Sequence, residues 1–242
     1  MGRLWLRVRA PFAAYRPLQA GVFRATSPFL PPSAAYGLVL NLAGVETRAP
    51  GASAITQVRE DVPLLRIALG VPGKAPELAS LYQQLHSYPV GNSGKERKER
   101  MHGAKYWIAP ARRELLVDLD ALIGVESADE ALLAEVGRGL RGERTERRYG
   151  LPFAGDNNFL FDRIDLLATP PAARWYARLE RESGPRRGSC RLTVGIDRAD
   201  ASRTTTVLLA PTEEPTSEPS EAAWTWTPRA PADVPVAHDL RR

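Results

Sequence analysis

The chain has 242 residues, 43% of them hydrophobic and 25% charged, with a formal charge of +5 and a pI near 9.6. That length suits one elaborated domain or two small ones with a sizeable core, and the composition excludes collagen-like, coiled-coil and wholly disordered chains. The longest apolar run, Ala34 to Val45, is too short to span a membrane, and Met1 to Arg9 mixes three arginines among its apolar residues, unlike a secretory leader.

Residues 3 to 9 alternate strictly, with Leu4, Leu6 and Val8 on one face and Arg3, Trp5, Arg7 and Arg9 on the other, which predicts a strand. Its second face is either open to solvent and ligand or covered by groups that satisfy the guanidiniums. Pro11 to Pro32 contains five prolines and reads as a long loop, a length often associated with function. Ser33 as N-cap, an apolar stretch from Ala34 to Ala43 and a following Gly44 predict a helix. Leu64 to Val71 reads as a strand and Pro76 to Tyr88 as a short helix. Lys105 to Ile108 and Glu114 to Leu119 read as two further strands, and the glycine-flanked basic run before Lys105 as a protruding loop or hairpin.

Asp129 to Leu140 places Leu132, Leu133, Val136 and Leu140 on one helical face. A turn-rich loop, Gly150 to Asn158, precedes a strand expected over Phe159 to Leu167. The order β-α-β-β-α-β predicts an α+β, ferredoxin-like (RRM-like) domain over 1–168, with two helices on one sheet face and the other face free. That order favours the open reading of the Trp5 face. Beyond it, 169–210 is expected to be a small helix and β-hairpin extension, the hairpin formed by Arg191 to Ile196 and Thr204 to Leu209. Residues 211–242, rich in Pro, Glu, Ser and Thr, read as a loose, partly ordered tail. Trp224 and Trp226, at i and i+2, are the exception and are expected to dock back onto the body.

The charge is unevenly spread. Residues 1 to 45 carry Arg3, Arg7, Arg9, Arg16 and Arg24 and no acid; Lys95 to Arg113 is again net +5; and Arg138, Arg141, Arg144, Arg147 and Arg148 face only Glu143 and Glu146. Such clusters are either solvated faces or a polyanion-binding surface, and Trp5, Tyr15, Tyr106 and Trp107 among them favour single-stranded nucleic acid, which is held by cations on phosphates and rings under bases. All but four of the 33 basic residues are arginines, suited to bidentate phosphate contacts. The one cysteine, Cys190, and the scattered His86, His102 and His238 offer no disulfide or metal cluster, so no cofactor is expected and a reduced, cytoplasmic setting is.

Two segments carry a family resemblance. Arg3 to Arg16 followed by Ala20 to Leu38, and Gly94 to Asp118 with the Gly150 to Leu160 loop, resemble the fifth CRISPR-associated protein family (Cas-five), in its DevS-like type I branch. The resemblance implies a thumb hairpin, at about 76–113, extending from the ferredoxin-like domain. It also implies a Cascade subunit that binds the 5′ handle of the CRISPR RNA, caps the Cas-seven backbone and contacts the large Cas-eight subunit, meeting target DNA only indirectly.

On that reading the RNA-binding candidates are Arg7, Tyr15, Arg16, Arg24, Thr26, Ser27, Lys95, Arg97, Lys98, Arg100, His102, Lys105, Tyr106, Arg147, Arg148, Asn157 and Asn158. Each has a plainer alternative: a solvated hairpin tip for the 95–105 run, loop packing for Arg24, Thr26 and Ser27, an exposed helix end for Arg147 and Arg148, and a self-bonded turn for Asn157 and Asn158. Thr26 and Ser27 lie just before a helix N-terminus, a position suited to a phosphate. A branch of the family cleaves CRISPR repeat RNA with tyrosine, lysine and histidine, for which Tyr36, His102 and Lys105 are available here. His102 and Lys105 are not adjacent as that branch's pair is, so a non-enzymatic role is expected, with metal-independent endoribonuclease activity as the alternative. A structural protein without nucleic acid is the third class, separable by the salt dependence of RNA binding.

Overall fold

The computed structural model describes residues 1–17, 23–49, 58–89, 106–146, 150–179, 184, 186–197 and 203–234, with the backbone alone at 84–89 and 106–109. It is an α+β fold: one large, almost wholly antiparallel sheet and, among the described residues, two α-helices. The strands are β1 (Gly2–Ala13), β2 (Phe23–Arg24), β3 (Leu65–Val71), β4 (Glu77–Pro89), β5 (Tyr106–Ser127), β6 (Arg163–Leu167), β7 (Arg174–Arg178), β8 (Cys190–Gly195), β9 (Thr205–Pro211) and β10 (Thr225–Thr227). The helices are α1 (Pro32–Ala43) and α2 (Glu130–Arg141). The sheet runs β6–β1–β5–β3–β7–β9–β8, with β10 on β3 and both β2 and β4 on β5.

One sheet face packs on the helices. Leu4, Leu6, Val8 and Ala10 of β1 and Leu119, Ala121, Ile123 and Val125 of β5 join Leu38, Val39, Leu40 and Leu42 of α1 and Leu132, Leu133 and Val136 of α2 in one core. Helix α1 is apolar on nearly every side and correspondingly buried. It starts two residues earlier than expected: Pro31, not Ser33, is the N-cap, and Pro32, whose fixed φ suits a first helical position, follows it. Helix α2 follows its pattern, with the Asp129 carboxylate accepting from the Leu132 amide at 3.0 Å and Gly142 closing it at φ 71. The helices cross closely because Gly139 has no Cβ to strike the Leu42 carbonyl.

The expected short helix at 76–88 is strand β4. It pairs with β5 from Glu77↔Val117 to Pro89↔Tyr106, and the two strands expected at 105–108 and 114–119 are parts of the single 22-residue strand β5. Cross-strand pairing thus overrides the helical spacing of a segment without a strong capping signal. Where β5 leaves the main sheet, Asp118 adopts φ 56. The β1–β5 register continues through this point, yet the residues that enter the core change from Ala10 and Leu119 to Ala13 and Leu116. Residues 106–117, about 40 Å of extended chain, form the arm with β4. The last strand of the β-α-β-β-α-β order is shorter than expected, Arg163–Leu167 against 159–167.

The second sheet face is closed, which corrects the expectation of an open basic and aromatic surface. Trp5 is buried against Trp175 and Trp224, with ring centroids 5.7 and 5.9 Å away. Ala68, Gly70 and Gly124 form the floor beneath these rings; a Cβ at Gly124 would lie 2.5 Å from Trp5 Cζ3 and one at Gly70 2.8 Å from Trp175 Cε3. The arginines of this face are paired: Arg3 Nε donates to Glu126 at 2.8 Å, Arg7 grips Asp120 at 2.9 and 2.6 Å, and Arg9 reaches Asp165 at 3.1 Å. Arg7 therefore titrates above the ordinary arginine value, chiefly through the Asp120 hydrogen bonds, and it is not a free contact for RNA.

The cover comes from the C-terminal part. Strands β7 and β10 pair with β3 at Gly70↔Trp175 and Ile67↔Thr225, and Trp224 docks as expected with Arg3 and Arg66 over its ring. The Ala173–Thr216 bridge, Trp224 and β10 tie 211–234 to the sheet while most of 211–222 is exposed, and 235–242 lies outside the described residues. The hairpin of β8 and β9 forms as read, whereas the described residues of 169–210 contain no α-helix. No described helix is long and apolar enough to cross a membrane.

Truncating Trp175, which is fully buried, to alanine should cost about 3–5 kcal/mol in denaturant unfolding. Gly124→Ala, which overpacks the same cluster, should cost about 1–3 kcal/mol; a neutral result for both would show that the closed face contributes little to stability.

Candidate nucleic-acid interface

At the base of the arm three segments meet that are far apart in sequence. The two ends of the N-terminal loop are clasped: the Tyr15 amide donates to Thr26 Oγ1 at 2.8 Å and the Ser27 amide to the Tyr15 carbonyl at 2.7 Å. Strand β2, just before Thr26, lies parallel to β5 with Phe23 opposite Arg112 and Arg24 opposite Arg113. The 150–160 loop closes over Ala14, whose amide donates to the Ala154 carbonyl at 3.0 Å. Gly155, at φ 82, is needed there, since a Cβ would strike the Ala14 carbonyl and the Tyr15 ring.

Asp156 ties the segments together. Its Oδ2 lies 3.0 Å from Arg16 Nη2 and 2.6 Å from Arg113 Nη2, while its Oδ1 accepts from the Asn158 amide and side chain at 3.0 and 2.8 Å. The Arg113 contact is an ion pair without hydrogen-bond alignment, and its guanidinium also sits 4.9 Å from the Phe159 ring centroid. Burial pushes the Asp156 carboxyl up, but the Asn158 amide and the Arg16 and Arg113 guanidiniums outweigh it and hold the group below its ordinary 3.8.

The sequence candidates thus separate. Tyr15, Arg16, Arg24, Thr26, Ser27, Asn157 and Asn158 gather at the arm base. Thr26 and Ser27 are buried there and Tyr15 is in the core, so they shape the loop. Asn158 makes the self-bonded turn, while Asn157 is exposed. Arg16 is half exposed, and Arg24 has no side-chain partner among the described residues. The helix N-terminus suits a phosphate poorly: Pro31 and Pro32 lack N–H groups, and the Ala34 and Ala35 amides both donate to the Pro31 carbonyl. Lys95, Arg97, Lys98, Arg100, His102, Lys105, Arg147 and Arg148 lie outside the described residues, and Tyr106 is described only as the backbone partner of Pro89.

The described members of the third arginine cluster are paired. Arg138 and Arg144 pair with Glu135 and Arg141 with Glu143, and Arg144 also donates to the Ala43 carbonyl at the end of α1. Tyr36 is buried and donates to the Pro63 carbonyl at 2.8 Å; burial raises its phenol, against a smaller opposite effect of Arg229, so it does not supply a base at neutral pH. Burial also pushes the Cys190 thiol up to about 12, consistent with packing. No group of three or more potential metal ligands occurs among the described residues.

Sequence reasoning missed Asp156, Arg113 and Phe159 as one unit. The signal available was an acid inside a Gly-Asp-Asn-Asn turn, which reads equally well as turn chemistry alone.

No protein-family profile matches the chain. No curated protein sequence matches it either. Among solved structures, a chain of a "CRISPR RNA-guided surveillance complex" shares the fold with a TM-score of 0.53 at 16% identity, over 92% of this chain and 96% of that one. A structure described as "Crystal structure of Cas protein" is similar at a TM-score of 0.46 and 14% identity, over 89% and 96%. The first likeness is one of fold, and the second carries no argument.

Asp156→Asn should destabilise the chain by about 3 kcal/mol by leaving Arg113 buried without its counter-charge. A carboxyl depressed in the folded state stabilises above its unfolded pKa, and that contribution is lost as pH falls through the folded value. Wild-type stability should therefore drop below about pH 3.8 more steeply than that of the variant; parallel acid profiles in urea titrations would contradict the assignment.

Proposed function

We propose that this chain is a non-catalytic, RNA-binding subunit of a type I CRISPR interference complex, Cascade. It holds the 5′ handle of the CRISPR RNA, caps the Cas-seven backbone and contacts the large Cas-eight subunit, in the cytoplasm. The observation that carries this reading is the end-to-end fold likeness to a chain of a CRISPR RNA-guided surveillance complex. The strand order β6–β1–β5–β3, with α1 joining the first strand of the unit to the second and α2 the third to the fourth, supports a ferredoxin-like unit over 1–168 with β4 and β5 as its thumb. Membership of the Cas-five family is part of this proposal and rests on the sequence resemblance of Arg3 to Leu38, Gly94 to Asp118 and Gly150 to Leu160.

The chemistry at the arm base suits this role. Arg24, partly buried on β2 and without a side-chain partner among the described residues, lies in the same region as half-exposed Arg16 and the exposed Arg112. Guanidiniums held on fixed backbone bind phosphates with little ordering cost. On the arm, Leu78 and Tyr82 are exposed, Tyr82 at 81%, and offer rings and apolar surface to a base or a neighbouring subunit. The basic run from Lys95 to Lys105 would contact RNA phosphates. Asn157 would contribute from the facing loop.

Arg24→Ala, and separately the joint replacement of Lys95, Arg97, Lys98 and Arg100 by alanine, should each reduce retention of guide RNA and assembly. Purified chain incubated with end-labelled repeat RNA in EDTA should bind it intact, with affinity falling steeply as salt rises. Discrete cleavage that disappears in His102→Ala would instead make the chain a processing endoribonuclease.

A further inference from the structure

Most of the described arginines are paired with a carboxylate inside the fold. Each described arginine on β1, β3, β5, α2 and β6 has a carboxylate or hydroxyl partner. Apart from Arg24, the described arginines without a side-chain partner are Arg178, Arg186 and Arg187, all in the C-terminal extension. Two of them, Arg178 and Arg186, line the same cleft, which also includes Ala177, Leu179, Pro211 and Thr212 and has a volume of about 230 Å³.

Both arginines stand on fixed backbone. Arg178 is paired with Leu209 in the β7–β9 ladder. Arg186 begins a closed turn: its amide donates to Ser189 Oγ at 2.8 Å, its carbonyl accepts from the Ser189 hydroxyl at 2.5 Å and amide at 2.9 Å, and Gly188 takes φ 82 against Pro211. Among the described residues no acidic side chain lines the cleft. Glu180 and Glu182, between the two arginines in sequence, lie outside the described residues, and Glu213 and Glu214, which follow Thr212, are exposed and make no ion pair with either arginine. Two like charges converging on one concavity repel, and a shared anion removes that repulsion. The space corresponds to about seven water volumes, enough for a phosphate group with part of its hydration.

We infer that the cleft between β7 and the β9 end is a second phosphate-binding site, taking phosphodiester groups of single-stranded RNA through Arg178 and Arg186. The inference rests on the RNA-subunit reading. It adds a contact on the β7–β9–β8 flank of the sheet, which the sheet order separates from β1 by β5 and β3.

The test is binding of the full chain to a labelled single-stranded RNA oligonucleotide across a salt series, by fluorescence anisotropy. R178A/R186A should bind about tenfold more weakly, with the log–log salt slope reduced by about 1.4, the value for two lost phosphate contacts on a single strand. R178K/R186K should recover part of the loss, and R174A, on the same strand outside the cleft, should match wild type. Wild-type affinity and slope in R178A/R186A would overturn the inference and leave the RNA-subunit reading standing on Arg24 and the arm. Failure of the wild-type chain to bind any RNA would overturn both. Inorganic pyrophosphate is the second probe: binding that depends on Arg178 and Arg186 while RNA affinity does not would make the cleft a free-anion site and overturn the RNA assignment.

Discussion

The packing of Trp5 between Trp175 and Trp224 determines where this protein can act. A sheet with helices on one face has a second face that must be either used or covered, because a row of arginines and a large ring cannot be left half desolvated. Here three small residues, Ala68, Gly70 and Gly124, lower the sheet surface enough for tryptophans from two distant segments to seat on it. The cover in turn uses the free edge of β3, which receives β10 at Leu65 to Ile67 and β7 at Gly70 and Val71. The C-terminal extension is thus part of the same sheet, and any nucleic-acid contact is displaced to the loops, the arm and the flank.

Charge follows the same logic. Glu126, buried at the centre of the closed face, accepts from Arg3 at 2.8 Å and Arg66 at 2.6 Å. Asp156, buried at the arm base, gathers Arg16 and Arg113. At Asp156 one carboxylate faces two guanidiniums and leaves a local excess of positive charge, whereas around Glu126 Arg3 also meets Glu218 and Arg66 also meets Glu221. Among the described residues, therefore, few of the many arginines are left without a partner.

The arm depends on a local backbone feature. Asp118 in the left-handed region switches which side of β5 faces the core while β1 stays in register. Leu116 and Ala13 consequently enter the helix-side core. The base of the arm is thereby anchored in the domain, and Arg113, Glu114 and Arg112 are placed against the N-terminal loop.

The sequence by itself determined the elements whose signal is local: β1 from its strict alternation, α2 from Asp129, its apolar face and Gly142, the Gly44 stop of α1, and the β8–β9 hairpin. The order of those elements was also legible, whereas the gathering of Arg16, Arg24 and the 150–160 loop at the arm base was not, because those segments are far apart in the chain. Only the tertiary structure decided that 77–89 is a strand, since its conformation comes from pairing with β5 across a long sequence separation rather than from its own periodicity. It alone decided that the Trp5 face is closed, because alternation marks two faces without saying what covers the second. The partners of the arginines were equally hidden: Arg3 meets Glu126, Arg16 meets Asp156 and Arg144 meets Glu135 through packing, and a charge count along the chain carries no information about which charges the fold brings together.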